Sequence, residues 1–386
     1  MASRKKVALL VETSNGYARE LLQGVRAWQC EHGGWAIRLS EQSRGTRTPK
    51  WLRHWRGDGV IARVENPRIA AALRRSRLPV VDVSAALTDV PFPRVATDSK
   101  AITHLAFEHL REQGFRHFAY CGDSRHLWSV RRSEFFQEQV RGFGGTCALY
   151  TSRKRGDVHI AEEEIVLIAH WLRNLPKPVG VLACYDVRGQ QVLEACKFAG
   201  LEVPADVGVI GVHNDELLCE LCDPPLSSVV PNARRAGYEA AALLARMMAG
   251  DKVPSTVRQI NPLGVAARPS TDVVTVNDPP VAAAVRYIRE HALKGIGVKD
   301  VLRAVPMSRT LLERRFQRLL GRSPGAFISK VRIAHVKMLL ATTGLPVGSI
   351  AERVGFEHTE YLSVAFRRET GMTPTKYRAN HHVGWS

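Results

Sequence analysis

Two segments near the end of the chain carry side chains that can bond to the edges of DNA base pairs. Arginine can donate two hydrogen bonds to guanine, glutamate can accept one from cytosine, and serine or threonine can bond to bases of either class. These side chains recur at helical spacing, so they share one face of a helix that can enter the major groove. We predict base contacts by Arg309, Thr310, Glu313, Arg314, Gln317 and Arg318 in the first segment, and by His358, Thr359, Glu360, Ser363, Arg367 and Arg368 in the second.

The two segments belong to an internal repeat. At an offset of 50 residues Leu312 matches Leu362 and Phe316 matches Phe366, and a Gly-x-x-Pro sequence follows each copy. Upstream residues match at an offset of 49, so the turn between the helices is one residue longer in the second copy. Each copy reads as helix, short turn, helix, with apolar residues inward and polar residues outward. We predict helix-turn-helix units at 298–320 and 347–370.

Basic residues around these units predict contacts to phosphates, which position a protein on DNA without reading its sequence. The chain has a formal net charge of +18, and residues 277–386 hold 18 Lys and Arg against 8 Asp and Glu. A bundle with solvated charged faces is the alternative, which two registered copies disfavour. In the second unit Val364 also faces outward, at helical spacing with Glu360 and Arg367. The phosphate candidates are Arg315, Arg318, Arg322, Lys330, Arg332, Arg368, Lys376 and Arg378.

The preceding three quarters of the chain have a different pattern. Short apolar runs alternate with amphipathic stretches, which is typical of a parallel α/β architecture. The sequence predicts strands at 7–11, 59–62, 79–83, 118–121, 179–183 and 207–212, and helices at 18–29, 98–113, 162–174, 189–199 and 233–248. We expect an α/β domain at 4–276, a linker at 277–282 and an all-α domain at 283–380.

The composition indicates a protein with ordinary hydrophobic cores. The length of 386 residues favours two or three domains. Seven scattered cysteines fit reduced thiols better than a disulfide framework. No apolar run approaches the roughly 18 residues of a membrane-spanning helix, and the basic start of the chain leads into a strand-length run, 7–11, rather than an export signal. We therefore expect a cytoplasmic protein without a membrane partner.

The repeat resembles the DNA-binding module of the AraC/XylS family. The match is most specific over residues 345–356 and 366–378, and residues 287–296 resemble the start of that module. The whole chain is similar to the xylose-operon regulators of this family. The resemblance implies a two-lobed effector domain like those of LacI-type regulators and periplasmic sugar-binding proteins. It further implies double-stranded operator DNA, a pentose effector such as D-xylose, a homodimer, and contact with RNA polymerase if the protein is an activator.

In such a two-lobed domain the effector cleft lies at the C-terminal ends of the parallel strands. Polyol ligands are held by polar side chains with an aromatic ring against their C–H face. The resemblance places a ligand arginine at Arg132, but Asn66 stands where a carboxylate is expected and His213 replaces a common aspartate, so another pentose, another sugar or a degenerate pocket remains open. The effector-binding candidates are Asn15, Tyr17, Arg19, Asn66, Trp128, Arg132, Asp186, His213 and Asn214.

Sequence motifs of enzymes and metal sites are not found. The segment 12–16 after the first strand is no Gly-x-Gly-x-x-Gly sequence, and neither a nucleophile elbow nor a Walker loop occurs. Cys219 and Cys222 with His213 nearby suggest zinc, but a tetrahedral site needs a fourth ligand, so we expect no metal and no cofactor. A transport-type sugar-binding protein or a Rossmann-like enzyme with a basic tail is the alternative, and the duplicated helical tail disfavours both.

Overall fold

A computed structural model describes residues 4–40, 49–152, 161–272 and 278–381 of the chain. Within these ranges, residues up to 272 form two α/β lobes, each built on a six-stranded sheet, and residues from 279 onward are helical. The predicted fold class, a two-lobed α/β domain followed by a double helix-turn-helix module, is confirmed. None of the described helices is long and apolar enough to cross a membrane.

Twelve strands and fifteen α-helices follow one another along the described residues. In chain order, the strands are β1 (Lys6–Leu10), β2 (Ala36–Leu39), β3 (Gly59–Ala62), β4 (Val80–Asp82), β5 (Arg94–Thr97), β6 (His117–Asp123), β7 (Cys147–Ser152), β8 (Val179–Ala183), β9 (Val207–Val212), β10 (Ser227–Val230), β11 (Val257–Ile260) and β12 (Gly264–Ala266). The helices are α1 (Gly16–His32), α2 (Pro67–Ser76), α3 (Ser99–Glu112), α4 (Leu127–Gly142), α5 (Ala161–Arg173), α6 (Asp186–Ala199), α7 (Glu216–Leu221), α8 (Ala233–Met248), α9 (Pro279–His291), α10 (Val298–Ala304), α11 (Arg309–Leu320), α12 (Pro324–Thr342), α13 (Val347–Arg353), α14 (Thr359–Thr370) and α15 (Pro374–His381).

The first lobe contains a parallel sheet in the order β11-β5-β4-β3-β1-β2. Its central strands β3 and β4 are apolar except for Asp82 at the end of β4, because helices cover both faces. Helices α1 and α8 pack together on one face, and their backbones touch at two glycines. A Cβ atom at Gly24 would lie 1.9 Å from the carbonyl oxygen of Arg234, and one at Gly237 would lie 1.9 Å from that of Leu21. The close approach fixes α8 firmly to the first lobe.

The second lobe contains a sheet in the order β12-β10-β9-β8-β6-β7, parallel except for β12. Helices α3 and α4 cover one face around Phe118 and Phe136, and α5 and α6 cover the other around Val181. The chain passes between the lobes after β5, between β10 and α8, and between β11 and β12. These three crossings make a hinge at one end of the cleft.

The helical module has two separate hydrophobic cores. Leu312 and Phe316 of α11 are buried in the first, and Leu362 and Phe366 of α14 are buried in the second. These are the residues that the 50-residue offset pairs, so each repeat copy builds its own core. Helix α12 contributes to both cores and joins the two units.

Two expectations about local structure differ from what the structure shows. Helix α9 begins at Pro279, inside the segment 277–282 that the sequence predicts as a linker; residue 277 lies outside the described residues. The helix starts there because Asp278 accepts a hydrogen bond from the Val281 amide at 3.3 Å and proline fits the first helical turn. Strands β2, β5, β7 and β10–β12 are not among the strands that the sequence predicts, because their apolar runs are short or are interrupted by polar residues.

Candidate functional sites: an interlobe cavity and two exposed helices

A cavity lies between the two lobes at the C-terminal ends of their parallel strands. Residues that follow β3, β4, β5 and β9 contribute to its walls, together with the first turns of α1 and α4. This is the edge at which parallel sheets gather ligand-binding side chains. The cavity has a volume of about 40 Å³. Its lining residues are Tyr17, Arg63, Val83, Ser84, Ala85, Ala96, Thr97, Ser99, Trp128, Arg132 and His213.

Aromatic rings from both lobes meet at this cavity. The Tyr17 ring of the first lobe lies 4.8 Å from the His213 ring of the second, measured between centroids. Trp128 lies 6.5 Å from His213 and 5.8 Å from Tyr185, in an edge-to-face arrangement with the tyrosine. A ring face in such a cluster presents an apolar surface to the C–H groups of a ligand.

Two buried arginines supply the positive charge. Arg63 is paired with Glu12 and, at 3.3 Å, with Glu65. Burial opposes its charge, but the two carboxylates raise its pKa above the ordinary value. Arg132 is 4% exposed, and its Nη1 donates to the carbonyl oxygen of Cys184 at 2.6 Å. Burial lowers the pKa of Arg132.

The arginines retain unused donors. The Nε atoms of Arg63 and Arg132 are buried and have no hydrogen-bond partner. An unpaired buried donor costs about 1–3 kcal/mol, so a rearrangement of the cavity that brings an acceptor to either atom would recover that free energy. Ser84, Thr97 and Ser99 add hydroxyl groups to the same cavity. The arrangement suits a small, neutral polyhydroxyl ligand with one apolar face.

The loop after β9 has an unusual backbone. His213 and Asn214 have positive φ angles of 115° and 53°. A non-glycine residue in such a conformation costs about 1–3 kcal/mol, and it persists only where its surroundings hold it. In this loop the Asn214 amide donates to Ser228 Oγ at 3.0 Å, and the Asp215 amide donates to Asp186 Oδ2 at 2.8 Å. The strained loop places the His213 ring in the cavity.

Asp186 stabilises this loop through hydrogen bonds and is not among the residues that line the cavity. It is 2% exposed and accepts a hydrogen bond from Ser228 Oγ at 2.6 Å in addition to that from the Asp215 amide. Burial raises its pKa to about 7, although these hydrogen bonds act in the opposite direction.

Of the nine effector-binding candidates, the structure brings Tyr17, Trp128, Arg132 and His213 together at the cavity. The other five have different surroundings. Asn15 and Asn66 cap helices α1 and α2 by accepting from the amides of Ala18 and Ile69. Arg19 is half exposed and donates to the Thr13 carbonyl; Asp186 holds the loop after β9, and Asn214 accepts from Arg268 at 2.9 Å.

Sequence reasoning missed Arg63, Ser84, Thr97 and Ser99. Each lies within two residues of the end of a strand, which is the signal that could have found them. Arg63 directly follows β3, three residues before the predicted ligand Asn66. Ser84 follows β4, and Thr97 and Ser99 bracket the end of β5, a strand that has no apolar run to mark it.

The outer faces of α11 and α14 form the second candidate site. On α11, all six predicted base-contacting residues are exposed, and Arg309 pairs with Glu313 at 3.0 Å. On α14 and its N-cap, His358, Glu360, Arg367 and Arg368 are exposed, whereas Thr359 and Ser363 are half-buried. Two large residues of α14 are also exposed, Tyr361 (63%) and Val364 (68%).

Five of the residues predicted to contact phosphates have hydrogen-bond or ion-pair partners within the protein. Arg332 donates to the carbonyl oxygens of Ala292 and Ile296, at 2.8 and 2.7 Å. Arg378 donates to the carbonyl oxygen of Leu345. The remaining three are ion-paired: Arg315 with Asp278, and Arg322 and Lys330 with Glu112. Arg318, Arg368 and Lys376 are exposed.

The cysteine pair shows no metal-binding arrangement. Cys219 is buried, and the thiol of Cys222 donates to the Leu218 carbonyl at 3.2 Å. The parts of the chain that the structure describes hold no group of three metal-ligating side chains.

Comparisons with known proteins agree with this architecture. Residues 6–100 match the family of XylR N-terminal domains, residues 107–271 match the periplasmic binding protein-like domains, and residues 301–380 match a helix-turn-helix domain family. The chain is 33% identical over 383 residues to the xylose operon regulatory protein of Escherichia coli K12, with 97% of each chain covered. The chain belongs to the family of xylose operon regulators.

This regulator has further relatives along its full length. The xylose operon regulatory protein of Haemophilus influenzae is 32% identical over 384 residues, covering 97% of this chain and 98% of that one. The solved structure of the xylose-binding transcription activator xylR matches with a TM-score of 0.64 and 31% identity, covering 99% of each chain. The regulator is a DNA-binding transcription regulator, and its family resemblance is confirmed. These relatives are regulators, not enzymes.

Proposed function

We propose that this regulator binds operator DNA through α11 and α14 and that a sugar in the interlobe cavity controls it. The effector we propose is a pentose, D-xylose, as in the xylose-binding relative. The single observation that supports it best is the cavity itself, in which two buried arginines with unused donors face aromatic rings from both lobes.

The cavity is too small for the effector in this conformation of the lobes. A volume of about 40 Å³ accommodates about three water molecules, far less than the ten heavy atoms of a pentose. Binding therefore requires the lobes or their side chains to move. A ligand shifts a conformational equilibrium only through its different affinity for the two states, and we propose that the sugar binds more tightly to the state with the wider cavity.

Contacts between the lobes and the helical module provide a route for the shift. Glu112 at the end of α3, in the second lobe, pairs with Lys330 near the start of α12. Arg234 of α8, in the first lobe, donates to the carbonyl oxygen of Thr342 at the end of α12, at 2.9 Å. The two contacts are about 18 Å apart along the helix. Helix α12 joins the two helix-turn-helix units. A change in the angle between the lobes therefore acts on both units through this helix.

The remaining partners follow from the same proposal. We infer that the regulator acts as a homodimer, since two modules double the contact with an operator, and that it contacts RNA polymerase when it activates transcription. Its place is the cytoplasm, where the DNA is accessible and cysteines are reduced.

Calorimetry of the full chain against D-xylose, L-arabinose, D-ribose and D-glucose tests the effector. We expect saturable binding of D-xylose and at least tenfold weaker binding of the others. If none of the four sugars gives a heat of binding, the sugar-sensing part of the proposal is refuted. The DNA-binding part is not affected by that result.

A further inference from the structure

The exposed face of α14 has an apolar centre. Positions 360, 361, 364, 367 and 368 are exposed. At 100° per residue they fall within an arc of about 120°, and Val364 lies at its middle. Its side chain is 68% exposed and that of Tyr361 is 63% exposed.

The equivalent face of α11 is polar except at Leu311, the half-buried match of Tyr361. The 50-residue offset pairs Val364 with Arg314 and Glu360 with Thr310. All the exposed residues of α11 from 309 to 318 can form hydrogen bonds. The two copies therefore share a fold and a core but present different chemistry at the same position.

The apolar group that the major groove offers is the 5-methyl group of thymine. A valine side chain cannot hydrogen-bond to a base, but it can remove this methyl group from water. Arg367 and Arg368 lie on the same exposed arc and carry the positive charge that draws such a face towards phosphates. Tyr361, whose ring lies 5.5 Å from that of His358, extends the apolar surface towards the start of the helix.

We propose that α14 recognises thymine through its methyl group, with Val364 as the contacting side chain and Tyr361 beside it, whereas Arg314 contacts guanine from the equivalent position of α11. This inference rests on the proposed role of the two helices in reading DNA. It predicts an operator whose two subsites differ in base composition, although the two reading units are copies of one sequence.

The experiment removes single methyl groups from the DNA. Full-length protein selects duplexes from a randomised library, with and without D-xylose, and each thymine of the enriched duplex is then replaced by deoxyuridine. We expect one or two replacements in the same subsite to weaken binding about fourfold each, the value for one buried methyl group. Fluorescence anisotropy at physiological salt measures the dissociation constants.

Two variants test which side chain causes the loss of affinity on replacement of thymine by deoxyuridine. Val364→Ala should bind the thymine duplex more weakly and no longer distinguish thymine from deoxyuridine at those positions. Arg314→Ala, its match in the first copy, should keep the sensitivity to the methyl group. Both positions are exposed, and circular dichroism verifies that the variants fold.

Three results would overturn the inference. The first is wild-type binding to every deoxyuridine duplex within twofold of the parent. The second is methyl sensitivity that persists in Val364→Ala, which would assign the methyl contact to a different side chain. The third is failure to enrich any sequence. This result would also refute the proposed role of α11 and α14 in recognising operator DNA, whereas the first two results would refute only the thymine contact of Val364.

Discussion

Arg63 and Arg132 reach the interlobe cavity from different lobes, and both are buried with an Nε–H that has no partner. Their surroundings differ. Arg63 is neutralised by Glu12 and Glu65, whereas Arg132 is held by the Cys184 carbonyl oxygen. A neutral ligand suits Arg63, whose charge is already compensated, and both arginines carry directional hydrogen-bond donors.

Replacing Arg132 by methionine should abolish its hydrogen bonds to a sugar while keeping most of the side-chain length. A hydrogen bond to a charged group contributes about 1.5–3 kcal/mol, so we expect the affinity for D-xylose to fall about 10- to 100-fold. Calorimetry measures this affinity. Arg19→Met is the matched control, because Arg19 lies outside the cavity and its replacement should change affinity less than about twofold. Equal losses in both variants would argue against a ligand at Arg132.

His109 should make the protein sensitive to acid. Burial, with smaller effects from Arg289 and Lys330, lowers its pKa to about 3, and its Nε2 lies 2.8 Å from Thr271 Oγ1. Between the ordinary histidine pKa and 3, the unfolded chain binds a proton that the folded chain does not, so stability falls as the pH falls. At pH 5 the loss from this residue should be about 2 kcal/mol relative to pH 7.5.

Denaturant unfolding of the wild-type protein and His109→Gln at both pH values measures this loss. The glutamine keeps a donor near Thr271 but cannot gain a proton, so the variant should lose less stability on acidification. The same pH dependence in both proteins would show that His109 does not contribute to the acid sensitivity.

At the scale of elements, α11 and α14 show how one fold carries two different surfaces. Each helix ends at a glycine with a positive φ, Gly321 at 64° and Gly371 at 74°, and each buries a Leu–Phe pair. These features determine the helix and its orientation. The exposed positions are free to differ, since they contribute little to the core, and there α11 carries Arg314 where α14 carries Val364.

Two arginines of α11 should have separable effects on DNA binding. Arg314→Ala should cost about 1–3 kcal/mol on the selected operator and relax specificity at one base pair, because the residue contacts a base. Of its two predicted roles we propose the phosphate contact for Arg318, so Arg318→Ala should weaken binding to all sequences alike and reduce the slope of log K against log salt by about one. Salt titrations of both variants distinguish the roles, and an unchanged slope in Arg318→Ala would contradict its assignment.

At the scale of the whole molecule, the helical module contacts both lobes. The second lobe touches it through Glu112, and Asp272 just after the lobe pairs with Arg289 of α9. The first lobe touches it through Arg234 and through Asn232, whose side chain donates to the His381 carbonyl at 3.4 Å. A module that contacted only one lobe would be insensitive to their relative movement; because this module contacts both, we propose that it responds to that movement.

Replacing Glu112 by glutamine should weaken the coupling between sugar and DNA. The carboxylate pairs with both Lys330 and Arg322, and such partly exposed pairs contribute about 1 kcal/mol at most. We expect the ratio of operator affinities with and without D-xylose to change by about two- to fivefold. Glu108→Gln is the control, because Glu108 pairs with Arg111 in its own helix. A ratio equal to the wild-type value in Glu112→Gln would exclude this contact from the coupling.

The sequence by itself determined the fold class, the two helix-turn-helix units and the outward faces of α11, because repeat register and helical periodicity are local properties. It also predicted four of the eleven residues that line the cavity, the aromatic residues Tyr17, Trp128 and His213 together with Arg132. Only the tertiary structure decided which polar residues line the cavity: Asn15 and Asn66 are helix caps, whereas Arg63 and Ser84 face the cleft. It also showed that Arg315, Arg332 and Arg378 donate hydrogen bonds to groups within the protein. Proximity to a strand end marks a residue as a candidate, but which candidates share one cavity depends on how elements distant in sequence pack together.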